Sequence, residues 1–311
     1  MSSCPFLSRY QSSSPQGWES TRIFSDHRSR HGPIDVVFGI LEESFRIHFG
    51  DAGKAFGSVL TGVRKSLASD TSPVHVFADA RATAGKLNLV GALRPYKLSA
   101  LARTIALVGP SKFGARVVDF GCGDNLLGAL LLEQAPHVRS VVGVDVVLPQ
   151  AGIPAQAGLM FVHHDGSTQL REASASVDTI IARYSLHHLK LSEHPMLMAE
   201  FARVLRPGGR LIVVEDTYSR TLSPLCANSL SQRLMSLDND EILLALALMD
   251  ASSALLYEET MQFPFSFRSI EEWCAECAAH GLETEQLLFW GVPFFSLFQA
   301  LCGVMTFRLV D

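Results

Sequence analysis

The sequence predicts an α/β fold in which a doubly wound, mostly parallel β-sheet is flanked by helices. From about residue 115 onward, short apolar runs alternate with helical patterns, which is typical of parallel strands joined by helical crossovers. In addition, the β-branched run Arg116–Phe120 enters a glycine-rich turn that opens a helix, and a second short strand ends in an acid, Asp145. Both features are typical of an open α/β sheet that binds its ligand at the carboxyl ends of the strands.

Three regions follow one another along the 311 residues. Residues 1–32 are rich in serine and predict a flexible tail, and their arginines leave an organellar targeting segment as a weaker alternative. Residues 33–110 repeat apolar side chains at helical spacing and predict a helical appendage, with a break near Asp70–Pro73. Residues 111–311 predict the α/β domain, which a helical cap insertion interrupts at about 221–262.

The elements of the α/β domain follow from the lengths and periods of the apolar runs. Runs of five to eight residues bounded by turn residues indicate strands, and longer runs with a period near 3.6 indicate helices. Helices are predicted at about 125–135, 193–205 and 269–280. Strands are predicted at 116–120, 140–145, 159–163, 177–183, 210–215, 283–290 and 303–309.

Composition narrows the classes of partner and compartment. The net charge is −5 and no dense Lys/Arg run occurs, so no nucleic-acid partner is expected. The six cysteines are scattered, which favours a reducing, cytoplasmic compartment. Cys274 and Cys277 form one C-x-x-C inside a helical pattern without a second pair at zinc spacing, so we interpret them as packed helix cysteines rather than metal ligands. The oligomeric state is not readable from these features.

Residues 287–307 carry no formal charge and are long enough to imitate a membrane span. Gly291, Pro293 and Gly303 interrupt the run, which favours two strands joined by an apolar connection. We therefore expect no integral membrane span.

The glycine-rich turn after the first strand is the strongest indication of a ligand. In Gly121-Cys-Gly123 the glycines allow a sharp turn and a close approach of the backbone, and the N–H groups of the following helix start favour an anionic group. Asp145, at the end of the second strand, is placed to accept hydrogen bonds from the hydroxyls of a ribose. Together the two features predict a cofactor that contains a nucleoside.

Two kinds of nucleoside cofactor compete. A nicotinamide site requires G-x-G-x-x-G, and Leu126 occupies the third glycine position. The stretch instead resembles the first motif of class I methyltransferases, D-x-G-C-G-x-G, through Asp119, Gly121, Cys122 and Gly123. Asn125 stands where that motif has its last glycine, and Asn tolerates positive φ better than most residues.

Further motifs resemble the same family in the same order. Asp165-Gly166 looks like the third motif, Ser176–Leu189 like the fourth strand with its turn, and Arg203–Glu215 like a turn, with Pro207-Gly-Gly209, into the fifth strand. The resemblance implies a seven-stranded sheet with an antiparallel last strand, and S-adenosyl-L-methionine as the cofactor. The cofactor-binding residues that it implies are Asp119, Gly121, Cys122, Gly123, Asn125, Asp145, Val146, Asp165, Gly166, Arg183 and Tyr184.

The resemblance also implies in-line transfer of a methyl group. Such a reaction depends mainly on alignment and exclusion of water, and it needs a base only where the acceptor must lose a proton. Candidate catalytic residues are His187 and His188 after the fourth strand, where a structural role competes, and Asp216 after the fifth. Candidate acceptor-binding residues are Tyr96, Tyr218 and Trp290, although dense aromatic residues are also typical of core packing.

Our hypothesis is a methyltransferase that acts on a small or lipophilic molecule. A protein or peptide methyltransferase, a non-catalytic methyltransferase-like binding protein and, least favoured, a nicotinamide oxidoreductase are the alternatives. No metal is expected, because His163 and His164 lack a carboxylate–histidine ligand spacing around them.

Overall fold

The computed structural model of the chain describes residues 31–67, 80, 89–148, 155–253, 264–292 and 301–310. The chain forms two compact units. One unit contains Met1–Arg94, Ala227–Phe265 and Val292–Ala300, and the other contains Pro95–Cys226, Ser266–Gly291 and Leu301–Asp311. Among the described residues, no helix combines the length and apolar character that crossing a membrane requires.

The second unit contains a seven-stranded sheet in the order β3-β2-β1-β4-β5-β7-β6. Strand β7 runs antiparallel to both of its neighbours and the other pairs are parallel, so the predicted sheet is confirmed. The strands are β1 (Arg116–Phe120), β2 (Ser140–Asp145), β3 (Leu159–His163), β4 (Val177–Arg183), β5 (Leu205–Asp216), β6 (Leu282–Gly291) and β7 (Cys302–Leu309).

The bounds of β1 to β4 equal the predicted ones, whereas β5 starts five residues earlier than predicted, at Leu205 rather than 210. The predicted turn at Pro207–Gly209 lies inside this strand. There the pairing with β4 is irregular, since Val177 pairs with Leu205 but Thr179 pairs with Arg210. Gly208 has a φ of +73°, and a Cβ on Gly209 would lie 2.8 Å from the carbonyl oxygen of Arg206. The Gly-Gly pair therefore permits a bulge that a sequence pattern cannot distinguish from a turn.

Helices cover both faces of the sheet. On one face, α2 (Leu89–Val108) and α3 (Leu126–Gln134) share a core with β1, β4 and β5, including Ile105, Leu131, Val117, Ile181 and Ile212. On the other face, α4 (His194–Val204) brings Phe201 to 5.3 Å from the ring of Phe120. This two-sided cover explains why the central strands are apolar throughout.

The first unit is helical. Helix α1 (His31–Leu67) packs against α5 (Ser229–Met235) and α6 (Asn239–Ser253). The apolar positions that predicted the helical region 33–110, such as Phe38, Phe56 and Leu60, are buried, but they lie on one helix of 37 residues. The predicted break at Asp70–Pro73 lies outside the described residues, as do residues 1–30.

The C-x-x-C pair lies on α7 (Ile270–Ala278). Cys277 is buried, with its Sγ 4.0 Å from Sδ of Met198, and Cys274 is half-buried. Burial raises the pKa of both thiols, so neither is a ready thiolate for metal binding or redox exchange. The structure supports the interpretation of the pair as packed helix cysteines.

The strand order reverses at β1, which has β2 on one side and β4 on the other. The connections leaving β1 and β4 therefore diverge to opposite faces, and the carboxyl ends of these two strands are where such a sheet is expected to bind a ligand. The candidate site residues of the α/β unit are found around these ends.

Candidate active site

The turn after β1 is shaped by a close approach between two strand ends. Gly121 has a φ of +71°, and a Cβ at this position would lie 2.3 Å from Cβ of Ser185, the second residue after β4. The hydroxyl of Ser185 donates to the carbonyl of Phe120 at 3.1 Å. Glycine is required here for both its conformation and its lack of a side chain.

The N–H groups of this turn donate to the neighbouring strand. Gly121 and Cys122 donate to the carbonyl of Val144 at 2.8 and 3.2 Å, and Gly123 donates to a carboxylate oxygen of Asp145 at 2.7 Å. The predicted contact of an anionic group with the N–H groups of the helix start stays a prediction, since these three residues precede that helix. Their bonds fix the shape of the turn instead of cradling a phosphate.

Carboxylates surround the same turn. Asp119 is buried, and one of its carboxylate oxygens has no hydrogen-bond partner among the described residues. Burial raises the pKa of Asp119 to about 7, partly opposed by the charge of Arg183. Asp124 pairs with Lys97 of α2 at 3.0 Å. A buried carboxylate that lacks a partner fits a cationic ligand group and disfavours a pyrophosphate.

The end of β2 provides a polar and an apolar surface side by side. The other carboxylate oxygen of Asp145 accepts from the N–H of Val147 at 2.9 Å, which holds the side chain at the strand end. Val146 is 55 % exposed, which is unusual for a valine directly after a central strand. His163 donates through Nε2 to the carbonyl of Val146 at 3.0 Å. The acid expected to bind a ribose therefore lies next to an exposed apolar side chain.

The turn after β3 presents Asp165 to solvent. Its side chain is 79 % exposed, and it accepts a bond from the N–H of Ser167 at 2.9 Å, which lowers its pKa. Gly166 has a φ of +83°, and its N–H donates to Nδ1 of His164, whose Nε2 donates to the carbonyl of Gln169 at 2.7 Å. His164 therefore braces the turn that carries Asp165 and Gly166.

Asn125 begins α3 in the left-handed conformation, with a φ of +59°. Its side chain is buried, and its amide nitrogen donates to the carbonyl of Met160 in β3 at 2.9 Å. A Cβ on Gly143 or Gly128 would lie within 3 Å of this amide, so the two glycines make room for it. The side chain that replaces the last motif glycine thus joins the turn to the sheet, and only its backbone remains for a cofactor contact.

Arg183 and Tyr184 follow β4. The guanidinium of Arg183 lies 4.6 Å from the ring centroid of Tyr184, and its Nε donates to the hydroxyl of Thr104 at 3.4 Å. Tyr184 has a φ of +48°, and its hydroxyl lies 3.0 Å from Sγ of Cys302. Burial raises the pKa of Tyr184 well above its usual range, so its hydroxyl stays protonated.

A histidine–carboxylate pair lies where β4 and β5 end. Nδ1 of His187 donates to one carboxylate oxygen of Glu215 at 2.5 Å, and the other oxygen accepts from the N–H groups of Ser185 and Leu186 at 2.9 and 2.7 Å. The exposed fractions of His187 and Glu215 are 2 % and 1 %. Burial alone would raise the pKa of Glu215, but His187 and the N–H donors bring it below its usual range.

The pair orients His187 in one tautomer. Because a carboxylate only accepts, Nδ1 carries a hydrogen, so in the neutral ring Nε2 is the nitrogen with the lone pair. A buried carboxylate that accepts from the opposite ring nitrogen also stabilises the cationic form of the ring, as in histidine general bases. The arrangement can therefore accept a proton at Nε2.

The sequence named His187 but assigned the acid of the fifth strand to Asp216. Neighbouring residues of a strand point to opposite faces, so Glu215 and Asp216 cannot both turn toward His187. Which one does so depends on the register between β4 and β5, which the sequence does not specify. Asp216 is buried beside Cys302, its partner in β7.

The remaining predicted site residues differ in their burial and in their contacts. The ring of His188 lies 4.2 Å from that of His187 and is half-buried. Tyr218 is buried and accepts through its carbonyl from Ile270. Trp290 lies on β6 against the same core as Tyr184, and its indole N–H has no partner among the described residues. Tyr96 lies within α2, but its side chain is outside the described part of the chain.

Comparison with known proteins decides the family. A family model described as a methyltransferase domain matches residues 93–287, more than half of the chain. The chain belongs to this family of methyltransferase domains. Its cofactor is S-adenosylmethionine. The buried carboxylate of Asp119, one oxygen of which has no partner among the described residues, fits the amino group of that molecule. The exposed side chain of Val146 fits the base, and the neighbouring Asp145 fits the ribose.

Curated relatives match part of this methyltransferase domain. The ubiquinone biosynthesis O-methyltransferase of Xylella fastidiosa is 30 % identical over 135 residues, which are 42 % of this chain and 51 % of that protein. The trans-aconitate 2-methyltransferase of Deinococcus radiodurans is 35 % identical over 118 residues, which are 37 % of this chain and 43 % of that protein. The chain spans about half the length of these relatives.

A solved structure extends the likeness of the fold to more of the chain. The pyocyanin biosynthetic protein PhzM has a TM-score of 0.55 at 16 % identity, and the match covers 86 % of this chain and 72 % of PhzM. At this identity the likeness concerns the fold alone.

Proposed function

We propose that the protein transfers the methyl group of S-adenosylmethionine to a hydroxyl oxygen of a small molecule, with His187 as general base. The observation that carries the proposal is the buried His187–Glu215 pair at the carboxyl ends of β4 and β5. A buried histidine–carboxylate pair stabilises a fold weakly, because desolvation of the carboxylate offsets the attraction. A role in proton transfer therefore explains the presence of this pair at the carboxyl ends of the strands better than a role in stability does.

Different residues bind the cofactor and accept the proton. Asp119, Asp145 and Asp165 hold the amino group, the ribose and the base of the cofactor. When bound, S-adenosylmethionine supplies a methyl group already activated on its sulfonium. His187 accepts the proton of the acceptor hydroxyl at Nε2, and the carboxylate of Glu215 stabilises the imidazolium that forms. Burial of the pair strengthens this stabilisation, because the local dielectric is low.

The relatives support a small acceptor. Two of them are named for methylation of small organic molecules, and one of the two is named an O-methyltransferase. An oxygen acceptor also gives the His187–Glu215 pair a task, since a hydroxyl has to lose its proton whereas a carboxylate acceptor has none to lose.

A screen for acceptors tests the proposal. Purified protein is incubated with S-adenosylmethionine and a panel of phenols, hydroxy acids, carboxylic acids and amines, and methylated products are detected by mass spectrometry. We expect methylation of hydroxyl groups. Methylation confined to proteins or peptides of an extract would favour the macromolecular alternative, and cofactor binding without turnover of any acceptor would favour the non-catalytic one.

The His187→Asn variant separates chemistry from binding. Loss of a general base lowers turnover by about 100- to 10,000-fold, whereas the Kd of S-adenosylhomocysteine, measured by calorimetry, should stay unchanged. His137→Asn is the control, because this exposed histidine bonds the carbonyl of Phe113 near the opposite ends of the strands, away from the candidate site. Full turnover in His187→Asn would refute the proposed base.

A further inference from the structure

The turn that carries His187 is held from two sides. The N–H of Leu186 donates to Glu215 at 2.7 Å. The carbonyl of Leu186 accepts from Nε2 of His194 at 3.0 Å and from the N–H of Leu189 at 3.0 Å. That carbonyl belongs to the peptide bond that joins Leu186 to His187. Its orientation therefore sets the direction in which the side chain of His187 leaves the backbone.

His194 is buried in the first turn of α4, and both of its ring nitrogens are used. Nε2 faces the Leu186 carbonyl, and Nδ1 accepts from Nε of Arg268 at 2.9 Å. A carbonyl only accepts and a guanidinium only donates, so His194 is neutral with its hydrogen on Nε2. Burial and the positive charge of Arg268 lower the pKa of His194, which agrees with this state.

Two further contacts fix the His194 ring. Arg268 pairs with Glu276 of α7 at 3.1 Å, so its guanidinium cannot turn away without leaving that carboxylate. The indole ring of Trp273 stacks on His194 with a centroid distance of 5.1 Å. A continuous set of contacts thus runs from Glu276 through Arg268 and His194 to the peptide before His187.

We propose that His194 is a positioning residue, which through the Leu186 carbonyl aims the His187 ring at Glu215. The inference deepens the proposed function, because it rests on His187 as the base. A purely structural alternative assigns His194 only to linking α4 with the residues before α7. The two roles differ in one observable, namely the bond between Nδ1–H of His187 and Glu215.

That bond can be observed without knowing the acceptor. In protein labelled with ¹⁵N-histidine and saturated with S-adenosylhomocysteine, a ring N–H that donates to a buried carboxylate gives a slowly exchanging, low-field proton signal. His187→Asn assigns the signal by removing it. We expect His194→Phe, which keeps an aromatic ring against Trp273 but removes both bonds, to broaden or abolish this signal. His194→Gln restores it, because an amide can donate to the carbonyl and accept from Arg268.

A matched control comes from His164. This buried histidine makes the same two kinds of bond, to the carbonyl of Gln169 and from the N–H of Gly166, on the turn after β3. His164→Phe should lower the melting temperature as His194→Phe does and leave the His187 signal in place. A His187 signal in His194→Phe with the wild-type position and exchange rate would overturn the proposal.

A second comparison covers the case in which His194→Phe does not fold. His194→Asn keeps an acceptor for Arg268 but is too short to reach the Leu186 carbonyl, whereas His194→Gln reaches both. A His187 signal kept in the Gln variant and lost in the Asn variant supports positioning, and equal signals in the two overturn it. Separately, full turnover by His187→Asn would refute the proposed function without altering this result.

Discussion

The two halves of the candidate site differ in how their geometry is encoded. At the ends of β1, β2 and β3, short contiguous motifs carry the functional residues, and bonds between adjacent turns set their shape, such as that from Gly123 to Asp145. At the ends of β4 and β5, the decisive contact joins His187 to a residue 28 positions later in the chain. We expect the first half to bind the cofactor, and the second half to accept a proton as proposed above.

This division predicts that variants of the second half affect turnover rather than cofactor binding. We expect Glu215→Gln to lower kcat by about 100-fold or more, the lower range for loss of general-base function, because a neutral amide does not stabilise the imidazolium. The Kd of S-adenosylhomocysteine should stay within about twofold. Rate assays with the acceptor found in the screen, paired with calorimetry, check this. A weakened Kd with normal kcat would show that the pair belongs to the cofactor surface.

The same pair makes a pH-dependent contribution to stability. The pKa of Glu215 is lower in the folded chain than its usual value, so its contribution is complete above that value and is lost as pH falls through the folded pKa. Wild-type protein should therefore lose unfolding free energy in acid more steeply than Glu215→Gln. Denaturant titrations between neutral pH and about pH 3, below the usual glutamate pKa, measure the two slopes, and equal slopes would contradict the buried pairing.

Variants of the first half should show the reverse pattern. Asp145→Ala removes the expected ribose contact and also the acceptor for Gly123 and Val147, so S-adenosylhomocysteine should bind about 1–3 kcal/mol more weakly. The matched control is Asp178→Ala on β4, whose carboxylate also accepts a backbone N–H, that of Arg116, near the opposite end of the sheet. Equal affinities of the Asp145 variant and wild type would show that the ribose lies elsewhere.

The difference between the halves also explains what the sequence could predict. The seven strands and their order of occurrence follow from local apolar patterns, and the bounds of β1 to β4 were predicted to the residue. Glu215 could not be predicted as the partner of His187, because a one-residue change of register exchanges it with Asp216. The bulge at Gly208 that extends β5 depends equally on pairing with β4, a contact between distant parts of the chain.

The cofactor turn shows what a short local motif predicts and what it leaves open. The glycines predicted a turn, and the structure confirms their positive φ values at Gly121 and Gly123. The N–H groups of the turn itself donate to the carbonyl of Val144 and the carboxylate of Asp145, two acceptors that the sequence did not predict. Those acceptors belong to β2, about twenty residues away, so a local motif cannot reveal them.

The buried carboxylate of Asp119 predicts that the affinity for the cofactor depends on pH. Its pKa of about 7 lies above the usual value because of burial, so a cationic ligand group that contacts its carboxylate must displace a proton below that pH. The Kd of S-adenosylhomocysteine, which keeps the amino group, should fall by up to about tenfold per pH unit as pH rises toward 7. Asp119→Asn should bind more weakly and lose this dependence. A wild-type Kd that is flat from about pH 5.5 to pH 8, which brackets that pKa, would place the amino group elsewhere.

Variants of Asn125 should have the smallest effect on cofactor binding, and they test whether the Asn125 side chain stabilises the turn. Glycine accepts a φ of +59° without strain, so Asn125→Gly restores the usual motif but loses the bond to Met160 and the packing against Gly143. We expect the unfolding free energy to fall by about 1–3 kcal/mol, with the Kd of S-adenosylhomocysteine nearly unchanged. Asn125→Ala should be less stable still, because alanine adds backbone strain at positive φ.

Denaturant unfolding of the three proteins, with calorimetry on each, separates the two contributions of Asn125. The order wild type, Gly variant, Ala variant in decreasing stability supports a side chain that joins the turn to β3. A Gly variant as stable as wild type would show that the buried amide contributes nothing and that backbone conformation alone selects asparagine. A Gly variant with tighter cofactor binding would show that the asparagine side chain restricts the cofactor surface, which its burial and its bond to Met160 argue against.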